Sequence, residues 1–249
     1  MEQDSTSEVF LHSDYSTAYP EGIQLHFWNR TRNKIVYRLL RSLVQEDELV
    51  MDVGCGPGIF LGYLQGTGIQ ARGVEKGSPE INASLAEVID LDTDLFDLPQ
   101  SLKAQIEVIV LLDVIEHIGE PRQFLKNIYR EIPNCKQLLI TVPARMEIWS
   151  NYDREFRHFT RYSRSTLCNE LNGTGFEATY SRYFFHSLYL LMRVLKLLRL
   201  NRSTQTKPPT RNAAVKFLHW MLGALLYLEF RLVPGGVPGS SLLCVASRK

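Results

Sequence analysis

The sequence predicts an α/β fold in which a parallel sheet is covered by helices on both faces. Short apolar runs recur along the first two thirds of the chain, and helical patterns stand between them. Strands that alternate with helices in this way need crossover connections, which place helices over both faces of the sheet. A third observation is MDVGCGPGIF, Met51 to Phe60, where three glycines fall within five residues directly after an apolar strand. Glycine costs backbone entropy, so such crowding marks a tight turn that something approaches closely.

The elements follow in order. Ile23 to Val44 reads as a helix, with Phe27, Ile35, Leu39 and Leu43 apolar and Arg30, Lys34, Arg38 and Arg41 tracing a basic face. Leu49 to Val53 is a buried strand, Pro57 to Gln65 a helix, and Gln70 to Glu75 a second strand. Ala86 to Asp92 is a short third strand and Glu107 to Asp113 the fourth and most apolar. Pro121 opens a helix to Arg130, and Gln137 to Pro143 is a fifth strand. Ser165 to Asn172 is helical, ended by Gly173 and Gly175, and Phe176 to Tyr183 alternates like a strand. Two long apolar segments, Phe184 to Leu200 and Val215 to Val233, flank the polar stretch NRSTQTKPPTRN, and GSSLLCVASRK is a final strand. We expect one domain over 1–249: an N-terminal helix at 23–44, a core at 45–183, a helical insertion at 184–239 and the last strand at 240–249.

Composition narrows the function. A net charge of +1 with no Lys/Arg run or zinc-finger spacing argues against a nucleic-acid binder. Cys55, Cys135, Cys168 and Cys244 lie far apart, without a CxxC pair or clustered histidines, which predicts reduced thiols and no metal site. The amino terminus, MEQDSTSEVF, is polar and acidic where a secretory leader would be basic and then apolar. These features point to a cytoplasmic protein.

A strand running into a glycine turn that opens a helix is how open parallel sheets hold nucleotide-like ligands. The dinucleotide spacing GxGxxG fails here, because the residue three beyond Gly56 is Ile59, and Pro57 removes an amide that a pyrophosphate would use. A nicotinamide-dependent oxidoreductase is therefore the weaker reading. The pattern present is DxGxGxG, with Asp52, Gly54, Gly56 and Gly58; it resembles the class I S-adenosylmethionine-dependent methyltransferases. That resemblance runs in order through Leu49 to Pro143 and implies a Rossmann-like seven-strand methyltransferase sheet, the last strand antiparallel beside the fifth.

The resemblance also implies a site. Glu75, ending the second strand, matches the acid that accepts both ribose hydroxyls of S-adenosyl-L-methionine, as a carboxylate can. Asp94 and Leu95, in DLFDLP, sit where the family places an acid and a backbone amide near the adenine. LLDVIEHI, Leu111 to Ile118, resembles the stretch lining the methionine part and the substrate opening, with Asp113 beside the cofactor. Thr141 to Leu167, the early HFWNRTRNKIV and the carboxyl-terminal strand resemble the bacterial ubiquinone-biosynthesis-like O-methyltransferase branch. That branch implies an oxygen of a small, glycan-linked or lipidic acceptor and no metal. A catalytically silent, membrane-associated scaffold of the same fold is a further alternative, against which the acids at Glu75 and Asp94 speak.

Transfer to a hydroxyl needs a base, and His117 and His158, after the fourth and fifth strands, titrate in the useful range. Arg154, Arg157, Arg161 and Arg164 lie among Trp149, Tyr152, Phe156, Phe159 and Tyr162, either a grip for an anionic acceptor or an aromatic lid with solvated tips. From Ala178 to Leu228 there are eight Lys/Arg and no acids. That pattern predicts an interfacial helix pair on an anionic membrane surface through 184–233, or else a helical cap or dimer surface.

Overall fold

The computed structural model describes residues 12–201, 208–209 and 212–249; the polar start and linker positions 202–207 and 210–211 lie outside them. Among the described residues the strands are β1 (Leu49–Val53), β2 (Ala71–Val74), β3 (Ile89–Asp90), β4 (Ile106–Leu112), β5 (Gln137–Pro143), β6 (Phe176–Phe184) and β7 (Ser241–Arg248). They form one seven-stranded sheet in the order β3-β2-β1-β4-β5-β7-β6. Strands β1 to β5 pair in parallel, and β7 inserts antiparallel between β5 and β6. The order reverses between β1 and β4, so a crevice opens at the carboxyl ends of these two strands.

The helices are α1 (His12–Ala18), α2 (Phe27–Leu43), α3 (Ile59–Leu64), α4 (Gln100–Lys103), α5 (Pro121–Glu131), α6 (Asn151–Glu155), α7 (Arg164–Leu171), α8 (His186–Leu197) and α9 (Ala213–Leu232). Alternate residues of β4 feed opposite layers, as a strand buried on both faces requires. Ile109 and Leu111 pack with Leu125, Ile128 and Leu167 of α5 and α7. Val108, Val110 and Leu112 pack with Ile35, Leu40, Phe60 and Phe230 of α2, α3 and α9.

The third strand keeps only Ile89–Asp90 of the expected Ala86 to Asp92, and Phe184, expected to open the helical insertion, ends β6. Two further boundaries differ for local reasons. The first helix breaks at His26, whose extended backbone (φ −63°, ψ 136°) and ring nitrogen, accepting from Trp28 N at 3.4 Å, cap α2. Helix α3 starts at Ile59 because Gly58 stands at φ +77° before it, so the glycine turn takes two residues that periodicity assigned to the helix.

The two apolar segments become α8 and α9. Helix α9 lies close on α2, where Thr31 Oγ1 donates to Gly223 O at 3.1 Å and Lys34 Nζ stands 4.0 Å from the Tyr227 ring centre. Their other faces are bare: Leu190, Val194 and Leu197 of α8 and Phe217, Trp220 and Leu232 of α9 are all more than half exposed.

Candidate active site

The glycine turn joins β1 to α3 with Gly54, Gly56 and Gly58 all at positive φ, between 55° and 77°. Gly58 also needs its lack of a side chain, since a Cβ there would lie 2.5 Å from Ile89 Cδ1 and 2.8 Å from Leu85 Cδ1. The turn aims the Gly56 amide at the residue following β2: Gly56 N donates to Glu75 Oε2 at 2.7 Å. Glu75 Oε1 accepts from Gly77 N at 3.2 Å and from the Tyr15 hydroxyl at 2.8 Å. A carboxylate at this strand end therefore already receives an O–H, the donor type that a ribose presents. Its loop neighbour Asp94 caps the turn Leu95–Asp97 through Phe96 N at 2.9 Å and pairs with Lys76 Nζ at 2.6 Å. The Leu95 side chain is core, packed on the sheet.

Asp52, at the end of β1, is buried, and loss of hydration raises its carboxyl to about 7 despite the nearby Arg32 charge. Asp113 follows β4 at φ +58° and accepts from Arg32 Nη1 at 2.8 Å. Arg32, on α2, escaped the sequence reading because it lies off the helix's basic face; only the packing of α2 across the strand ends turns it toward the site. It brings a fixed cation to the crevice, suited to a carboxylate. Tyr15 was equally invisible, since nothing local marks a tyrosine that reaches Glu75.

The loops after β4 and β5 meet at the histidines. His117 and His158 are T-shaped at 4.8 Å between ring centres, and Phe159 N donates to Glu116 O at 2.7 Å to join the two loops. Burial, then the neighbouring His158, push His117 down to about 3, so it is neutral. Glu116 is fully buried, and both its carboxyl oxygens lack a hydrogen-bond partner among the described residues. Burial, aided by the Asp113 charge, raises it far above the usual carboxylate range, so it stays protonated. His158 Nδ1 stands 3.0 Å from Asp153 Oδ1.

A cavity of about 360 Å³ gathers Arg32, Asp113, Glu116, His117 and His158, walled by Trp28, Tyr152, Phe156, Leu188 and Met192. The glycine turn, Glu75 and Asp94 do not line it, because Tyr15 and Tyr19 of the N-terminal segment stand over that half: Tyr15 is 6% exposed, and Tyr19 lies against Gly56. A larger hollow of about 770 Å³, between α2, α3 and α9, holds none of the acids or histidines assigned to the site.

The fold thus clusters histidines that are scattered in sequence. Glu116, His117 and His158 offer ligand atoms within 4.8 Å of one another. The arginine-aromatic stretch divides as well. Arg161 and Arg164 are spent inside the protein, on Asp153 and on the Ser181 and Gly235 carbonyls, so neither is free to grip an acceptor.

Known proteins agree with this architecture. The sequence profile of a methyltransferase domain matches residues 27–181. The chain is 25% identical over 132 residues to a ubiquinone biosynthesis O-methyltransferase of Rickettsia bellii, covering 50% of this chain and 55% of that protein. It is 23% identical over 166 residues to a probable S-adenosylmethionine-dependent methyltransferase of Mycolicibacterium smegmatis, covering 65% and 63%. It therefore spans less than two thirds of the length of these curated relatives. Among solved structures, one from a Haloferax volcanii complex between the Trm112 methyltransferase activator and a methyltransferase superposes with TM-score 0.58 at 18% identity, covering 97% of each chain. The Burkholderia thailandensis 1,6-didemethyltoxoflavin-N1-methyltransferase superposes with TM-score 0.56 at 14% identity, covering 96% of this chain and 84% of that one. These two show the shared fold, and the domain match over more than half of the sequence shows the family. The chain belongs to the methyltransferase-domain family, whose methyl donor is S-adenosylmethionine.

Proposed function

We propose that this protein transfers a methyl group from S-adenosylmethionine to an oxygen of a small, glycan-linked or lipidic acceptor, with His158 as general base and His117 beside it. The observation that carries this reading is the adjacency, at the carboxyl ends of β1, β2, β4 and β5, of an O–H-accepting carboxylate at Glu75 and a walled cavity containing His158. When bound, the cofactor supplies a methyl on a positively charged sulfur, which an aligned oxygen displaces. Glu75 would hold the ribose hydroxyls, exchanging the Tyr15 hydroxyl for them. Asp94 would serve the adenine amino group, the Leu95 amide the ring, and Gly54, Gly56 and Gly58 the backbone approach. Arg32, oriented by Asp113, would pair with the amino-acid carboxylate, and Asp52 would support the turn from beneath. His158 would take the hydroxyl proton, in a cavity walled by aromatic and aliphatic side chains.

Helix α8 lines the cavity with Leu188, Leu191 and Met192, while Leu190, Val194 and Leu197 on its other side are exposed beside Arg193, Lys196 and Arg199. Helix α9 is long and apolar enough to cross a membrane, with mean hydropathy 1.3, yet Gly223, Leu226 and Phe230 are buried, which favours an interfacial position over a span. An anionic membrane surface would suit this mixture and bring a lipidic acceptor to the cavity from the cytoplasmic side. Flotation with anionic and with neutral liposomes tests it: salt-sensitive flotation with anionic vesicles alone is expected, and none with either would refute it. The activity is tested by mass spectrometry of lipid and polar extracts incubated with isotopically labelled cofactor. A labelled product is expected with the wild type and not with Glu75→Lys.

A further inference from the structure

We infer that Asp153, held by Arg161, fixes His158 in the one tautomer able to take a proton at Nε2, which makes Asp153 the positioning residue of the base. The inference rests on the reading of His158 given above.

Helix α6 begins with a capping box in which Ser150 N and Oγ donate to Asp153 Oδ2 at 2.8 and 3.2 Å. A cap uses only that oxygen. The other, Oδ1, takes Arg161 Nε at 2.7 Å and stands 3.0 Å from His158 Nδ1. Asp153 is fully buried and Arg161 nearly so, and Arg161 Nη1 also donates to Ala144 O, directly after β5. The Asp153 carboxylate thus ties three segments to one point: the α6 cap, the loop carrying His158 and the end of β5.

The tautomer follows from donor and acceptor counting. Burial pushes the Asp153 carboxyl up, but His158, Arg161 and the Ser150 amide together outweigh it and lower Asp153 to about 2, so at neutral pH it is ionised and can only accept. Nδ1 must then carry the hydrogen, and a neutral ring has its lone pair at Nε2. No hydrogen bond reaches Nε2 among the described residues, and His158 lines the cavity. With the methyl donor bound, the acceptor O–H proton would pass to Nε2 as its oxygen bonds the methyl carbon and the carbon–sulfur bond breaks, its electron pair staying on the sulfur; the ring would become cationic, Asp153 would offset that charge, and the proton would later leave to water. His117, neutral at 4.8 Å, adds no opposing charge.

The test is nitrogen-15 NMR of the full chain labelled at histidine, with and without S-adenosylhomocysteine. His158, assigned by its loss in His158→Gln, should show in its neutral form a protonated Nδ1 and an unprotonated Nε2. Asp153→Asn, whose amide can donate, should shift the ring partly or wholly to the opposite tautomer. A purely structural cap would leave the tautomer where it was. A neutral wild-type ring with its hydrogen at Nε2, or a tautomer unchanged in Asp153→Asn, overturns the positioning role. The wild-type spectrum decides even if Asp153→Asn does not fold. Labelled methyl transfer from extracts retained in His158→Gln would overturn the base role separately, whatever the spectrum shows.

Discussion

Replacing Tyr15 by Phe isolates one hydrogen bond on the residue proposed to hold the ribose. The Tyr15 ring is 6% exposed and its hydroxyl donates to Glu75 Oε1 at 2.8 Å. Phenylalanine keeps the ring packing and deletes only that donor. A hydrogen bond to a charged group contributes about 1.5–3 kcal/mol, and ribose hydroxyls need the same oxygen. Water partly replaces the lost donor on Glu75, which places the gain at the low end, about 1.5 kcal/mol, or roughly tenfold tighter binding of S-adenosylhomocysteine. Isothermal calorimetry reads the affinity. Hydrogen exchange reads the accompanying cost, faster exchange of the α1 amides once their tether is gone. Affinity that is unchanged or weaker in Tyr15→Phe would refute the competition between Tyr15 and ribose for Glu75.

Three further outcomes follow from the geometry. Glu75→Gln makes every hydrogen bond at that carboxyl neutral; with about 1 kcal/mol lost for each of two ribose bonds, S-adenosylhomocysteine affinity should fall about thirtyfold in calorimetry while circular dichroism stays native. Asp52 has a folded pKa of about 7 against an ordinary value of 3.8, so the native state binds its proton more tightly. Its stabilising effect is complete below about pH 4 and lost as pH rises through 7, and Asp52→Asn should remove a slope on the order of 3–4 kcal/mol between those limits in urea titrations. Gly58→Ala meets both a left-handed backbone and two side chains, for about 2–4 kcal/mol of lost stability. Gly68→Ala, at φ +85° with open space around it, should cost only about 1–2 kcal/mol, and equal melting shifts would contradict the crowding at Gly58.

The sequence by itself determined the layered architecture, because strand and helix patterns are local and β1, β4 and β5 bury near-continuous apolar runs that read as such. It also marked the glycine turn and the strand-end acids, since positive φ and a carboxylate after an apolar strand leave traces at single positions. Helix ends were less legible: the breaks at His26 and Gly58 come from one residue's backbone conformation, which periodicity averages away. What only the tertiary structure decided is which distant residues share an atom. Tyr15 on Glu75, Arg32 on Asp113, and Asp153 on both His158 and Arg161 join different segments. Their pairing depends on how α1, α2 and the loop after β5 pack across the strand ends, not on any local pattern. The same packing turned Arg161 inward and brought His117 to His158, because loops that follow adjacent parallel strands must meet at one edge of the sheet.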